Sequence, residues 1–265
     1  MTLNNYVSAF DFFKSIDPRD RVYFLVRHGE RGHILPNDPN HGALVGLTER
    51  GREQALNLGR VIGSVMSKVA GQDEESCISF FSSPVGRCME TARNIALGIH
   101  AEHALRLSES RRGEESGNET SCCHNSGPHL QYVPHIEPLQ PLAEFFVEHY
   151  DAYMETHTSG FYQAICRWLD GTAADPNYKD PAYFPLAKRS QEMLDLMLEK
   201  GKSRINVFCS HDAWIVPCLA HFCGLKFTPQ LWMNFLTGVA VVVREGSIVD
   251  RIVAVTGVDN GNLLF

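Results

Sequence analysis

No run of eighteen or more apolar residues occurs in the chain, so it holds no stretch that would span a bilayer as a helix. It also lacks a surplus of positive charge. Its 24 Lys and Arg stand against 31 Asp and Glu, for a net charge of −7. A broad nucleic-acid or anionic-membrane surface needs clustered basic residues, so neither partner is expected. A small anion is not excluded, because a few arginines focused in one cleft outweigh a mildly negative whole. Residues Met1 to Asp20 lack the basic stretch and apolar core of a secretory signal, and a cytoplasmic location is the expectation. Internal repeats are absent. Cysteine, by contrast, is plentiful at eight residues, yet Cys77, Cys88, Cys166, Cys209, Cys218 and Cys223 fall inside apolar, regular-looking segments. There a free thiol acts as a small buried hydrophobe, so reduced cysteines are expected rather than disulfides.

What is present is the composition of an ordinary globular protein, 265 residues with 44% apolar and 21% charged. That length suits one large domain or two small ones. The pattern is read as one domain over residues 1–265, with an insertion or cap at roughly 100–200. A continuous apolar run, Val22 to Val26, reads as a strand covered on both faces, as in a parallel sheet. After a loop over 29–46, Thr48 is placed to cap a helix whose Ala55, Leu58, Gly59 and Ile62 recur at helical spacing. Cys77 to Phe81 reads as a second strand. Ser82 or Ser83 then caps a helix over Cys88 to Leu97, with Pro84 near its first turn. Residues 100–141 show little periodicity and read as a surface insertion. Helical patterns return near 142–156, 159–170 and 184–200. A further unit follows: strand Ile205 to Cys209, turn Ser210-His211-Asp212, and helix Trp214 to Cys223 ending at Gly224. Val239–Arg244 and Ile248–Val255 read as a hairpin that offers an edge for pairing. The fold class expected is α/β, three layers around a mostly parallel central sheet.

Three of these units share one plan: apolar strand, polar turn, helix. In an open α/β sheet such turns cluster at the carboxyl ends of the strands, where ligands bind. The turns carry Arg27, His28, Glu30 and Arg31; Arg87; and His211 with Asp212. Forked guanidinium donors suit phosphate oxygens, and a histidine among them can attack phosphorus or move a proton. Gathering such like charges is costly without an anion to offset their repulsion.

Four blocks, in order, resemble the histidine phosphatase superfamily, the group of the cofactor-dependent phosphoglycerate mutases and histidine acid phosphatases. They are Arg27-His28-Gly29; Leu47-Thr48-Glu49-Arg50-Gly51 with Arg52 to Ala55; Ser82-Ser83-Pro84-Val85-Gly86-Arg87 with Cys88 to Ala92; and Ser210-His211-Asp212. The resemblance spans about residues 21–224. It implies a phosphoglycerate mutase-like sheet, and His28 as the nucleophile that becomes phosphohistidine. Arg27, Arg31, Arg87 and His211 are implied as the phosphate pocket. No metal or cofactor is implied, since the arginines supply the positive charge. The leaving group needs a proton. By similarity to the acid-phosphatase pair the acid is Asp212; by similarity to the mutase-like branch it is Glu144. Glu30 is a third option, as an acid or as a group that orients His28.

The expected activity is therefore phosphomonoester hydrolysis through His28, on a small phosphorylated molecule or a phosphopeptide. A mutase-type phosphotransferase uses the same residues, and a phospho-ligand-binding protein without turnover would keep the same pocket. Oligomeric state is unreadable. Cys122-Cys123-His124 with His129 and His135 invites a zinc reading, but vicinal cysteines depart from the usual ligand spacing of two to four residues. Asp73-Glu74-Glu75 reads as a solvated charge run, and Trp168, Trp214 and Trp232 as core or pocket wall.

Overall fold

The computed structural model describes residues 6–35, 38, 40, 42–66, 77–114, 134–245 and 248–258. In chain order the elements are β1 (Tyr6–Ser8), α1 (Ala9–Lys14), β2 (Arg21–Arg27), α2 (Glu49–Met66), β3 (Ile78–Ser82), α3 (Gly86–Glu114), β4 (Glu137–Pro138), α4 (Pro141–Glu144), α5 (Tyr150–Ser159), α6 (Phe161–Ala174), α7 (Leu186–Lys200), β5 (Ile205–Ser210), α8 (Asp212–Cys223), β6 (Gly238–Arg244) and β7 (Ile248–Thr256). The strands form one sheet in the order β1-β7-β6-β2-β5-β3-β4, in which only β6 runs against its neighbours.

The apolar run of β2 explains the layering. Alternate side chains of a strand point to opposite faces. Val22, Phe24 and Val26 pack with Phe12 of α1, Leu58 and Ile62 of α2, and Ile95 of α3. Tyr23 and Leu25 face the other way, into a cluster with Trp168 of α6, Met193 of α7 and Trp214 of α8. Helices thus cover both faces, and the three-layer α/β arrangement with a mostly parallel sheet is what the chain adopts. Among the described residues no helix is long and apolar enough to cross a membrane. Of the six cysteines named from the sequence, five are buried and Cys223 is partly so.

Helix ends follow the local chemistry. Thr48 caps α2, its Oγ1 accepting from Gly51 N at 3.0 Å. Gly224 ends α8 in the left-handed region, at φ 65°, as helix C-termini favour. Gly59 and Gly98 let α2 and α3 cross backbone to backbone. A Cβ on Gly59 would lie 2.1 Å from the Ile95 carbonyl oxygen, and one on Gly98 2.1 Å from that of Leu56.

Several expectations are corrected. Helix α3 does not stop at Leu97 but runs to Glu114, so 100–114 is helical despite its weak periodicity. Of the described side chains beyond Ile99 none is buried, and Glu102 pairs with Arg106, so the apolar period fades while the helix continues. The pattern near 142–156 divides into α4 and α5. Phe145 and Phe146 turn into the core between them, and Val147 bridges to Tyr183. The C-terminal hairpin is not an edge, because β1 pairs in parallel with β7. Neither β1 with α1 nor the two-residue β4 was foreseen; each is too short to carry a period. Asp73-Glu74-Glu75, Cys122-Cys123-His124 and His129 lie outside the described residues.

Candidate active site

Adjacent parallel strands bring the three turns together. Arg27 pairs with Ser210 across β2 and β5, and Ser82 with Cys209 across β3 and β5. The residues that follow, His28, Ser83 to Arg87, and His211-Asp212, therefore emerge side by side at one end of the sheet. The turn after β2 is clamped onto α3 and α2. Gly29 N donates to Thr91 Oγ1 at 3.0 Å, and a Cβ on Gly51 would stand 2.0 Å from the Glu30 carbonyl oxygen.

His28 is buried, with 2% exposure. Its Nδ1 lies 2.8 Å from the Gly29 carbonyl oxygen, which can only accept, so Nδ1 carries the proton. The other nitrogen, Nε2, keeps its lone pair and receives Arg87 Nε at 3.2 Å. Burial, then Arg27, His211 and Arg87, hold the imidazole well below its ordinary value of 6.5. At neutral pH it is an uncharged base with its free nitrogen toward Arg87.

Arg87 joins the two histidines. Besides His28 it donates from Nη2 to His211 Nδ1 at 3.1 Å and from Nη1 to the Gly42 carbonyl at 2.6 Å. Because Nδ1 of His211 accepts, its Nε2 bears the hydrogen and donates to Ser83 Oγ at 3.0 Å. Burial and then Arg87 push His211 down to about 3, so it too is neutral.

Asp212 begins α8 and turns back toward Arg27. Its Oδ2 meets Arg27 Nη2 at 2.8 Å and accepts from Trp232 Nε1 at 3.0 Å, while Oδ1 accepts from Ala213 N at 2.9 Å. Burial alone raises the pKa of this carboxyl, but Arg27 and the Trp232 indole outweigh it and leave it below the usual value. Arg27 itself is 3% exposed, donates also to the Met233 carbonyl, and rests with its guanidinium 4.2 Å above the Phe235 ring. Its Nε is buried without a hydrogen-bond partner among the described residues.

A cavity of about 650 Å³ opens over these groups, lined by His28, Arg31, Arg87, Glu144, His211 and Asp212 among others. Arg31 donates to the Gly32 carbonyl at 2.9 Å, and its charge lies near the Tyr162 phenol. Glu144 ends α4 as an exposed side chain on the cavity wall. Glu30 is turned elsewhere: it accepts from Thr48 Oγ1 at 2.9 Å and lies 3.7 Å from Arg50, off the cavity lining. Arg27 stands behind His28 rather than on the cavity surface. Arg27 and Asp212 pair with each other, and Arg31 and Arg87 face the cavity with forked donors suited to an anion, alongside the Asp38 and Glu144 carboxylates.

Sequence reasoning missed Thr91, Ser83 as a partner of His211, Trp232 and Tyr162. Thr91 and Ser83 sit inside the quoted blocks, where their neighbours drew the attention. Trp232 lies twenty positions after Asp212 and carried no motif.

The family model described as histidine phosphatase superfamily (branch 1) matches residues 23–135. No curated protein is matched. Among solved structures, a mycobacterial glucosyl-3-phosphoglycerate phosphatase is similar at 16% identity and TM-score 0.45, covering 89% of this chain and 97% of its own. Phosphoserine phosphatase from Entamoeba histolytica is similar at 17% identity and TM-score 0.46, over 88% of this chain and 96% of its own. Phosphoglycerate mutase from Bacillus anthracis is similar at 17% identity and TM-score 0.43, over 88% and 92%. The family that the four sequence blocks resemble and the family whose model matches are one and the same, the histidine phosphatase superfamily.

Proposed function

We propose that this protein hydrolyses phosphomonoesters through a covalent phosphohistidine on His28. The observation that carries the reading is the fixed tautomer of His28: the Gly29 carbonyl holds the proton on Nδ1 and leaves Nε2 as a nucleophile beside Arg87. A bound phosphoryl group would take over the Arg87 Nε donor, freeing the Nε2 lone pair as the substrate arrives. Nε2 then forms the bond to phosphorus while the ester oxygen leaves with the bonding pair. Arg87 and Arg31 meet the charge that builds on the phosphoryl oxygens, with donors already in place.

Glu144 supplies the proton for the leaving oxygen in this reading, in place of the Asp212 that the resemblance to acid phosphatases put first. Asp212 has both carboxyl oxygens committed, Oδ2 to Arg27 and Trp232 and Oδ1 to Ala213 N, whereas Glu144 stands exposed on the cavity wall, within reach of a leaving oxygen. Its part is to hold Arg27 in position. In the second step water attacks phosphorus, its proton passes to the Glu144 carboxylate, and the nitrogen–phosphorus bond breaks to release inorganic phosphate. Segments 141–162 act as the cap over the pocket.

The test is product analysis. Release of inorganic phosphate from para-nitrophenyl phosphate without any acceptor, abolished by His28→Ala, is the expected result. An isomerised phosphoester with no free phosphate would overturn hydrolysis in favour of phosphotransfer.

A further inference from the structure

The cavity is much larger than a phosphate needs, and a volume of about 650 Å³ is that of a site for a drug-sized organic ligand. Its far wall is aromatic. Tyr150, 55% exposed, marks the mouth. From it a chain of neighbouring rings runs inward: Tyr150 to Tyr153 at 6.1 Å, Tyr153 to Phe161 at 6.1 Å, Phe161 to Tyr162 at 5.6 Å, and Tyr162 to Trp232 at 4.9 Å. Trp214 flanks Tyr153 at 5.9 Å. The chain ends at the phosphate side of the cavity, since Trp232 bonds Asp212 and Tyr162 neighbours Arg31. Aromatic surface therefore adjoins the phosphate-binding groups within one cavity.

We propose that the substrate is an aryl phosphomonoester, a ring joined directly to the ester oxygen, as in phenyl phosphate or a phosphotyrosyl side chain. This rests on the phosphatase reading above. Rings prefer offset or edge-to-face partners 4.5–7 Å away, the spacing this wall already keeps within itself. A seryl side chain would leave the tyrosine and phenylalanine rings uncovered. In the reaction the aryl oxygen–phosphorus bond breaks as the His28 nitrogen–phosphorus bond forms, and the phenol departs with one proton from Glu144. A phenolate also asks less of that acid than an alkoxide does.

Binding and turnover test different parts of the idea. By calorimetry, benzylphosphonate is expected to bind the full-length protein at least about tenfold more tightly than methylphosphonate. Phe161→Ala and Tyr150→Ala should each shrink that ratio to about threefold or less while leaving methylphosphonate affinity unchanged. Should Phe161→Ala fail to fold, Phe161→Leu keeps the volume without the ring and tests the same point. Equal affinity for the two phosphonates, or a ratio untouched in folded variants, overturns the proposal. In turnover, phosphotyrosine should exceed phosphoserine in kcat/KM by about tenfold or more, free or within one peptide sequence, and parity counts against it. A preference that grows in the peptide assigns the source to a protein chain; one that does not assigns it to a small ester. Aryl-selective binding with no hydrolysis of any ester would retire the phosphatase reading, and the substrate with it, leaving an aryl-phosphate-binding site. Unselective hydrolysis would do the reverse.

Discussion

The two nitrogens of His28 do different work because one carbonyl decides which is protonated. Gly29 takes the Nδ1 hydrogen, and burial among cations keeps the ring neutral. His211 is neutral for the same reason, with its hydrogen aimed at Ser83. Both groups are depressed from 6.5, so below that pH the unfolded chain takes up protons that the fold refuses. Their contribution is whole above about 6.5 and is lost as pH falls toward the folded value, about 3 for His211. The slope is about 1.4 kcal/mol per pH unit for each histidine. Asp212 loses its ion pair only lower still, below its ordinary 3.8. Urea denaturation of the ligand-free protein between pH 7 and 4.5 should show stability falling with pH, and His211→Asn should flatten the fall. A pH-independent midpoint in the wild type would refute the neutral assignment. The acid is separable at the same scale. Glu144→Gln should slow an alkyl phosphate by about 10²–10⁴-fold while sparing para-nitrophenyl phosphate. Asp212→Asn should slow both alike, because it disturbs Arg27. A leaving-group dependence confined to Asp212→Asn would return the proton to that residue.

At the scale of elements, the site depends on close backbone contacts that only glycine permits. The Gly59–Gly98 crossing fixes α2 against α3, and these helices carry Thr48, Arg87 and Thr91 at or next to their first turns. Gly59→Ala sets a methyl 2.1 Å from a carbonyl oxygen that cannot yield, so the helices must part. Overpacking of this kind costs about 1–3 kcal/mol, more than the ~1 kcal/mol gained in helix propensity. Gly86→Ala is the control: its Cβ meets nothing within 4 Å, and propensity alone should leave it neutral or stabilised. Thermal melts of the two variants check the contrast. Equal melting temperatures would mean that the helix crossing is more forgiving than its geometry indicates.

For the molecule as a whole, the Arg31 and Arg87 donors facing the cavity at the sheet end make a phosphate-sized anion the natural stabiliser. Inorganic phosphate at about a hundred times its Kd should add about 2.7 kcal/mol of stability, read as a rise in Tm. Arg87→Ala should abolish most of that rise. Chloride at the same ionic strength should not reproduce it, and if it does the effect is screening and not a site. The aromatic wall belongs to this scale as well. Its rings come from α5, α6 and α8 and from Trp232, remote in sequence from β2, and only their packing over the sheet sets them near Arg31 and Asp212.

Much of this was legible in the chain. The unbroken apolar run of β2 required a strand covered on both faces, and the turns ending Arg27-His28, Arg87 and His211-Asp212 had to gather because parallel neighbours share one carboxyl edge. Local chemistry also set Thr48 and Gly224 as helix ends. Other features follow from contacts between distant segments. A sequence cannot say that Glu30 turns to Thr48, or that Trp232 and Arg27 both engage the Asp212 carboxylate. The 100–114 stretch, helical but solvated, hid because amphipathic periodicity reports burial and not helicity itself. The sequence by itself determined which reactive groups meet, since strand order and strand ends are written in hydrophobic pattern. Only the tertiary structure decided their protonation and the shape of the space above them, since both depend on burial and on neighbours far away in the chain.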